Sequence, residues 1–181
     1  KMKEKVVKKT IMVLMMSRRL SMFTTIYCYL VFTNEEIVLA YLNKERETEL
    51  FNKWQYNNKD SKYALSETDF RKHLYEYGQK YYDMPIEDVL KENEKNFLLR
   101  HVDIIFMWFK ACKRLYSFTS EERGTLTIQT AYNKLKFTHH YRDWNRNIYN
   151  VLFELYGSRV EYTKGDMALS SIFKDGKEGF Y

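Results

Sequence analysis

Apolar residues recur every three or four positions along most of this chain, which is the spacing that one face of an α-helix requires. The clearest example is residues 143–156, where the inward positions would be Trp144, Ile148, Val151, Leu152 and Leu155. Residues 104–118 have the same character. The chain has one proline and six glycines, so few positions force a helix to end. The pattern therefore predicts an all-α fold.

The first 34 residues differ from the rest because no Asp or Glu occurs between Val6 and Asn34. A transmembrane helix over residues 6–32 is not favoured, since Arg18 and Arg19 would lie near its middle at roughly 2.5 to 3.5 kcal/mol each. A mitochondrial transit peptide is a second alternative. We expect residues 1–34 to form a long apolar docking helix that is buried against the chain's own body or against a neighbouring subunit.

Residues 119–130 have the scaffold of a calcium-binding loop without its ligands. Gly124 stands at position 6, where a sharp turn needs glycine, and Leu126 stands at position 8, where an apolar residue anchors a short strand. Arg123 at position 5 and Thr130 at position 12 replace residues that would supply oxygen atoms to the ion. The segment therefore predicts a structural loop that binds no calcium.

A second unit follows, in which the predicted helix over 143–156 leads into residues 157–163. Val160 lies 34 residues after Leu126 and matches its apolar position. Residues 101–173 thus resemble a degenerate EF-hand pair of the calmodulin-like or penta-EF kind. The resemblance implies paired helix-loop-helix units, a minimal two-stranded sheet through Leu126 and Val160, and a groove for a partner helix. Residues 174–181 would form a tail.

Residues 35–100 are predicted to be a helical half that could itself be a decayed EF-hand pair. A loop over 58–69 places oxygen atoms at positions 1, 3, 9 and 12, and its candidate metal ligands are Asn58, Asp60, Ser66 and Asp69. Lys62 at position 5 and Tyr63 at position 6 work against an ion. We therefore expect no bound metal and no cofactor.

Part of this half also resembles the inhibitory propeptide of papain-like cysteine proteases, the cathepsin propeptide inhibitor family. The residues that carry the resemblance, within 51–75, are Phe51, Trp54, Tyr63, Glu67, Arg71 and Tyr75. In that family a helix carries Glu, Arg and an aromatic residue at four-residue intervals, which would make Glu67, Arg71 and Tyr75 a brace on one helix face.

Composition and charge narrow the class of partner. A formal net charge of +6 favours acidic partners. Basic residues cluster within 134–146, but their apolar neighbours Leu135 and Phe137 are better explained as core positions, so nucleic acid is disfavoured. The two cysteines, Cys28 and Cys112, lie in apolar runs, which predicts a reducing, intracellular compartment.

No arrangement of residues in the sequence predicts catalysis. The four histidines form no metal-binding helix motif and lie beside no recognisable nucleophile, and no glycine-rich phosphate loop is present. We therefore expect a non-enzymatic structural or adaptor subunit of a large intracellular assembly, either cytoskeletal or ciliary, that binds other subunits without calcium. The alternatives are a calcium-responsive EF-hand switch and an accessory subunit of a mitochondrial membrane complex.

Overall fold

The computed structural model describes residues 9–22, 24–59, 67–112, 123–141 and 145–163. The chain divides into two compact units, Lys1–Asp103 and Ile104–Tyr181. The described residues of each unit include four β-strands, so the predicted all-α fold is wrong. None of the helices in these ranges has the length and apolar character needed to span a bilayer.

The first unit begins with an antiparallel meander. Its strands are β1 (Thr10–Arg19), β2 (Thr25–Thr33) and β3 (Glu36–Tyr41), and a fourth strand, β4 (Phe97–Arg100), pairs with β3 in the order β4-β3-β2-β1. The predicted N-terminal docking helix is therefore two strands. Side chains on both faces of β1 and β2 are buried, so their apolar runs are continuous and lack the alternation that marks a half-exposed strand.

Helices cover one face of this sheet. They are α1 (Lys44–Asn57), α2 (Glu67–Gly78) and α3 (Ile86–Lys91), with a 3₁₀ turn over Gln79–Tyr82. The shared core contains Val13, Met15, Tyr29, Val31, Val38 and Ala40 from the strands, and Leu50, Trp54, Phe70, Leu74, Tyr81, Ile86 and Val89 from the helical segments. The Tyr29 hydroxyl donates to the Leu74 carbonyl at 2.7 Å, which joins sheet to helix.

Loop residues after α3 fasten the helical layer to the end of β3. The Asn96 side-chain oxygen accepts from the Tyr41 amide at 2.7 Å, and its amide nitrogen donates to the Val89 carbonyl at 2.7 Å. The Asn93 side chain donates to the Tyr41 carbonyl at 3.0 Å. These bonds satisfy the backbone amide and carbonyl of Tyr41 at the end of β3 and the backbone carbonyl of Val89 in α3.

The second unit contains β5 (Ile104–Lys110), β6 (Gly124–Thr130), β7 (Lys134–His139), α4 (Asn145–Tyr156) and β8 (Val160–Thr163), with a 3₁₀ turn over Gly157–Arg159. The strand order is β7-β6-β5-β8, and only the β5 and β8 pairing is parallel. Helix α4 confirms the predicted helix over its described residues, with Ile148 and Leu152 buried. Residues 143, 144 and 164–181 lie outside the described ranges.

The EF-hand pair is wrong because its central segments are strands. Gly124–Thr130 is β6 rather than the second half of an EF-hand-like loop, and residues 119–122 lie outside the described residues. Strand β5 lies within residues 104–118, which the spacing predicted to be helical, and β7 lies just after the loop, where the EF-hand resemblance implied a second helix. The propeptide resemblance fails as well, although Arg71 and Tyr75 do lie on a helix, α2.

Candidate functional site

Only two of the four candidate metal ligands, Asn58 and Asp69, lie within the described residues. Asn58 ends α1, where its side-chain amide donates to the Trp54 carbonyl at 2.8 Å, and Asp69 lies within α2. Asp60 and Ser66 lie outside the described residues. No group of three or more His, Cys, Asp or Glu side chains that could hold a metal occurs in the ranges that the structure describes.

Leu126 and Val160 do lie on strands, but these strands do not pair with each other. Leu126 of β6 is opposite Phe109 of β5 on one side and Phe137 of β7 on the other. Val160 of β8 is opposite Met107 of β5. Both side chains are buried, so the two residues belong to the core of the second unit rather than to a two-stranded connection between loops.

The strands of the second unit present one polar and aromatic face, which we call the outer face. Its positions alternate along the strands with those that face the core: Phe106, Trp108 and Lys110 of β5, Thr125, Thr127 and Gln129 of β6, and Lys134, Lys136 and Thr138 of β7. Of these, Thr127 is itself buried. The strand register aligns these residues in three rows. The middle row runs from Trp108 through Thr127 to Lys136, and β8 adds Glu161 beside Trp108.

Two aromatic rings lie at the centre of the outer face. The ring centroids of Phe106 and Trp108 are 4.6 Å apart, and both side chains are half-buried. The Lys134 ammonium lies 5.0 Å from the centroid of the Trp108 ring, which is cation-π geometry. A ring pair of this kind offers a large, rigid contact area at low cost in side-chain entropy.

The charges of the outer face are predominantly positive. Lys110, Lys134 and Lys136 are exposed, and Glu161 is the single acidic residue that the register places with them in the described strands. None of the three lysines forms an ion pair within the described ranges. Their charges are therefore available to an anionic partner, and the field they make is screened only by salt.

The first unit contains a groove of about 410 Å³ between α1 and the start of β2. Thr24, Thr25 and Ile26 line one side, and α1 and α2 supply the other through Lys44, Glu47, Thr48, Phe51 and Phe70. The volume is within the range of pockets that bury a small ligand or a few side chains.

Several buried polar groups have structural roles instead. Burial raises the pKa of the Cys28 thiol to about 12, which makes it a poor nucleophile. The Tyr81 hydroxyl donates to the Glu92 carboxylate at 2.8 Å, and Lys80 pairs with the same carboxylate, so this network ties the 3₁₀ turn to the end of α3. The Tyr81, Glu92 and Lys80 side chains therefore hold elements of the first unit together.

The aromatic half of the outer face was not foreseen from the sequence. The buried positions of Leu135 and Phe137 confirm that they belong to the core, as the spacing of 134–146 suggested, and the neighbouring Lys134 and Lys136 do face outward. Phe106 and Trp108, however, belong to β5 and come next to those lysines only through strand pairing. Reading residues 104–118 as a helix concealed the alternation that would have revealed them.

No family model and no curated protein matches the chain. Two solved structures share a similar arrangement at low similarity. One is the C-terminal domain of an unknown protein from Leishmania infantum, with 8% identity, a TM-score of 0.38, and coverage of 82% of this chain and 84% of that one. The other is the hSac2 domain from human phosphoinositide phosphatase Sac2, with 8% identity, a TM-score of 0.43, and coverage of 88% and 78%.

Proposed function

We propose that this chain is a non-enzymatic interaction subunit that binds an acidic segment of a partner protein on the outer face of its second unit. The observation that carries the proposal is the combination on one sheet surface of two adjacent aromatic rings with three exposed lysines, none of which forms an ion pair with another described residue. Aromatic anchors supply contact area at interfaces, whereas surrounding charges select the partner and speed its association.

A protein partner is favoured over a nucleic acid by the state of the Trp108 ring. A base that stacks on an aromatic side chain needs an open ring face. The Lys134 ammonium already lies over the Trp108 ring, and Thr127 is the cross-strand neighbour of Trp108. A carboxylate can pair with Lys134 and Lys136 without displacing that cation, and an apolar side chain can contact Phe106 beside it.

We also retain the intracellular assembly, cytoskeletal, ciliary or mitochondrial, as a proposal. Cys28 and Cys112 are both buried free thiols, which is compatible with a reducing compartment. Localisation of the tagged full chain by microscopy tests this proposal. A secreted or luminal distribution would contradict it.

The binding proposal is tested by charge reversal. A fluorescently labelled glutamate-rich peptide with one central phenylalanine should bind the full chain, and Lys134→Glu with Lys136→Glu should weaken binding by roughly tenfold or more, since each exposed ion pair contributes up to about 1 kcal/mol and reversal adds repulsion. The matched control is Lys53→Glu with Lys72→Glu, two exposed lysines of α1 and α2 that change the net charge equally.

Three probes separate the classes of partner in the same anisotropy assay. The peptide should bind more tightly than a single-stranded oligothymidine of equal charge and more tightly than vesicles that contain anionic lipid. Preference for the oligonucleotide or the vesicles would overturn the proposal. Equal weakening by the two double variants would also overturn it, because binding would then depend on net charge rather than on the outer face.

A further inference from the structure

The groove of the first unit contains a carboxylate, that of Glu47, for which the described residues supply no hydrogen bond or ion pair. Glu47 lies on the same stripe of α1 as Lys44, Thr48 and Phe51, and this stripe faces the start of β2. The Glu47 side chain is half-buried, and no hydrogen bond or ion pair to its carboxylate occurs in the described part of the chain. By contrast, Glu49 on the exposed side of α1 pairs with Arg46 at 2.5 Å.

Partial removal from water is unfavourable for an unpaired carboxylate. Burial raises the pKa of Glu47, and the charge of Lys44 only partly opposes that shift. A positively charged group that entered the groove would restore the lost interaction and would add charge-assisted hydrogen bonds. Charge complementarity therefore selects a cation as the occupant of this end of the groove.

The helical wall of the groove that carries Glu47 is also aromatic. Phe51 and Phe70 meet edge to face with centroids 5.1 Å apart, and Phe51 is 37% exposed. An aliphatic stem can pack on these rings while a cationic head reaches Glu47, which is how long basic side chains bury themselves. The groove thus suits a side chain that is apolar along its length and positive at its end.

Hydroxyl groups distinguish between the two basic side chains. Thr24, Thr25 and Thr48 line the groove beside Glu47, and each hydroxyl can accept a hydrogen bond. A guanidinium has five donors in a fixed planar fork, whereas an ammonium is a compact and strongly hydrated charge. Several acceptors around one carboxylate favour the guanidinium.

We propose that this groove binds an arginine side chain from a partner polypeptide, with its guanidinium on Glu47 and its stem on Phe51 and Phe70. The site is separate from the outer face of the second unit and does not rest on the function proposed for that face. Lys44 opposes the arginine as a like charge at the rim of the same groove. Removal of the Lys44 charge should therefore tighten binding, whereas removal of the Glu47 charge should weaken it.

The experiment is an amide NMR titration of the full chain with a glycine and serine peptide that contains one central arginine. The matched probe carries citrulline at that position, which has the same shape without the charge. We expect saturable shifts at Thr25, Glu47 and Thr48 with the arginine peptide and much smaller shifts with the citrulline peptide. Equal binding of the two peptides, or no saturable shift with either, would overturn the proposal.

Three variants complete the test. Glu47→Gln should reduce affinity for the arginine peptide by about tenfold or more, because a charge-assisted pair becomes a neutral one. Lys44→Met should increase affinity, and the control Glu49→Gln should leave it unchanged. If Glu47→Gln disturbs the spectrum of the whole unit, Lys44→Met alone still tests the proposal. Unchanged or weaker binding of the arginine peptide by Lys44→Met would contradict a cation site.

Discussion

The buried position of His139 predicts that the protein loses stability in mild acid. Its side chain is 1% exposed and its ring stacks on Phe109 with centroids 5.0 Å apart and an interplanar angle of 9°. Nε2 lies 3.0 Å from the Lys110 carbonyl oxygen, so Nε2 carries the proton and donates it. Nδ1 is buried and has no hydrogen-bond partner among the described residues, so a second proton there would meet no acceptor from them.

The size of this loss of stability follows from the lowered pKa of His139. Burial first, and then the charge of His140, lower the pKa of His139 from 6.5 to about 4, although the Lys110 carbonyl opposes this shift. The unfolded chain therefore binds a proton at a pH where the folded chain does not, and stability falls as pH decreases from 6.5 toward about 4. At about 1.4 kcal/mol per pH unit, the loss across this window is about 3 kcal/mol.

The perturbation is His139→Phe, which retains a flat ring beside Phe109 but cannot be protonated. The variant loses the hydrogen bond to the Lys110 carbonyl, which lowers the free energy of unfolding by about 1 kcal/mol, or somewhat more if the carbonyl is left unpaired. This decrease is the same at every pH. Gly124 keeps the site tight, because a Cβ at that position would overlap the His139 ring and the Lys110 carbonyl oxygen. Phenylalanine must therefore occupy nearly the same space.

The assay is urea unfolding of both proteins at a series of pH values through the window. The other histidines and the carboxylates titrate in both chains, so their effects largely cancel in the difference of the two unfolding free energies. That difference should move by about 3 kcal/mol in favour of the variant as the pH approaches 4. If the two unfolding free energies instead changed in parallel with pH, His139 would not be the source of the acid sensitivity.

Two further predictions test the two units separately. Leu126→Asp should abolish the dispersed amide signals of the second unit, because an unpaired carboxylate at a fully buried strand position costs several kcal/mol. The control Tyr132→Asp, at an exposed turn, should keep those signals. A folded Leu126→Asp protein would contradict the assignment of residues 124–130 to a buried strand. Tyr29→Phe should lower the free energy of unfolding of the first unit by about 1 kcal/mol through loss of the bond to Leu74, as measured in urea, and an unchanged value would remove that contact from the account.

The sequence predicted the helices better than it predicted the strands. Helical spacing at Leu50 and Trp54 and at Ile148 and Leu152 corresponds to buried stripes of α1 and α4, because in each case one face packs and the other meets solvent. In β1, residues 12–16 are all buried, so the strand shows no two-residue period. A continuous apolar run of that length does not distinguish a buried strand from a buried helix.

The loop comparison failed for a related reason. Gly124 and Leu126 match a calcium-loop scaffold, but the glycine is required by the closeness of His139 to the backbone of β6 rather than by a sharp turn. Close approach and tight turns both select glycine, and a sequence pattern cannot separate them. Likewise, Trp108 and Lys134 become neighbours only through the pairing of β5, β6 and β7, which lie apart in the chain.

The most direct test of the proposed function is where an acidic peptide contacts the chain. Titration with the glutamate-rich peptide should shift the Trp108 indole signal and the amides of Phe106, Lys134 and Lys136, with shifts that shrink as salt is raised. Amides on α1, around Lys53, should be unaffected. Shifts confined to other surfaces, or an unmoved Trp108 indole at saturation, would contradict the account.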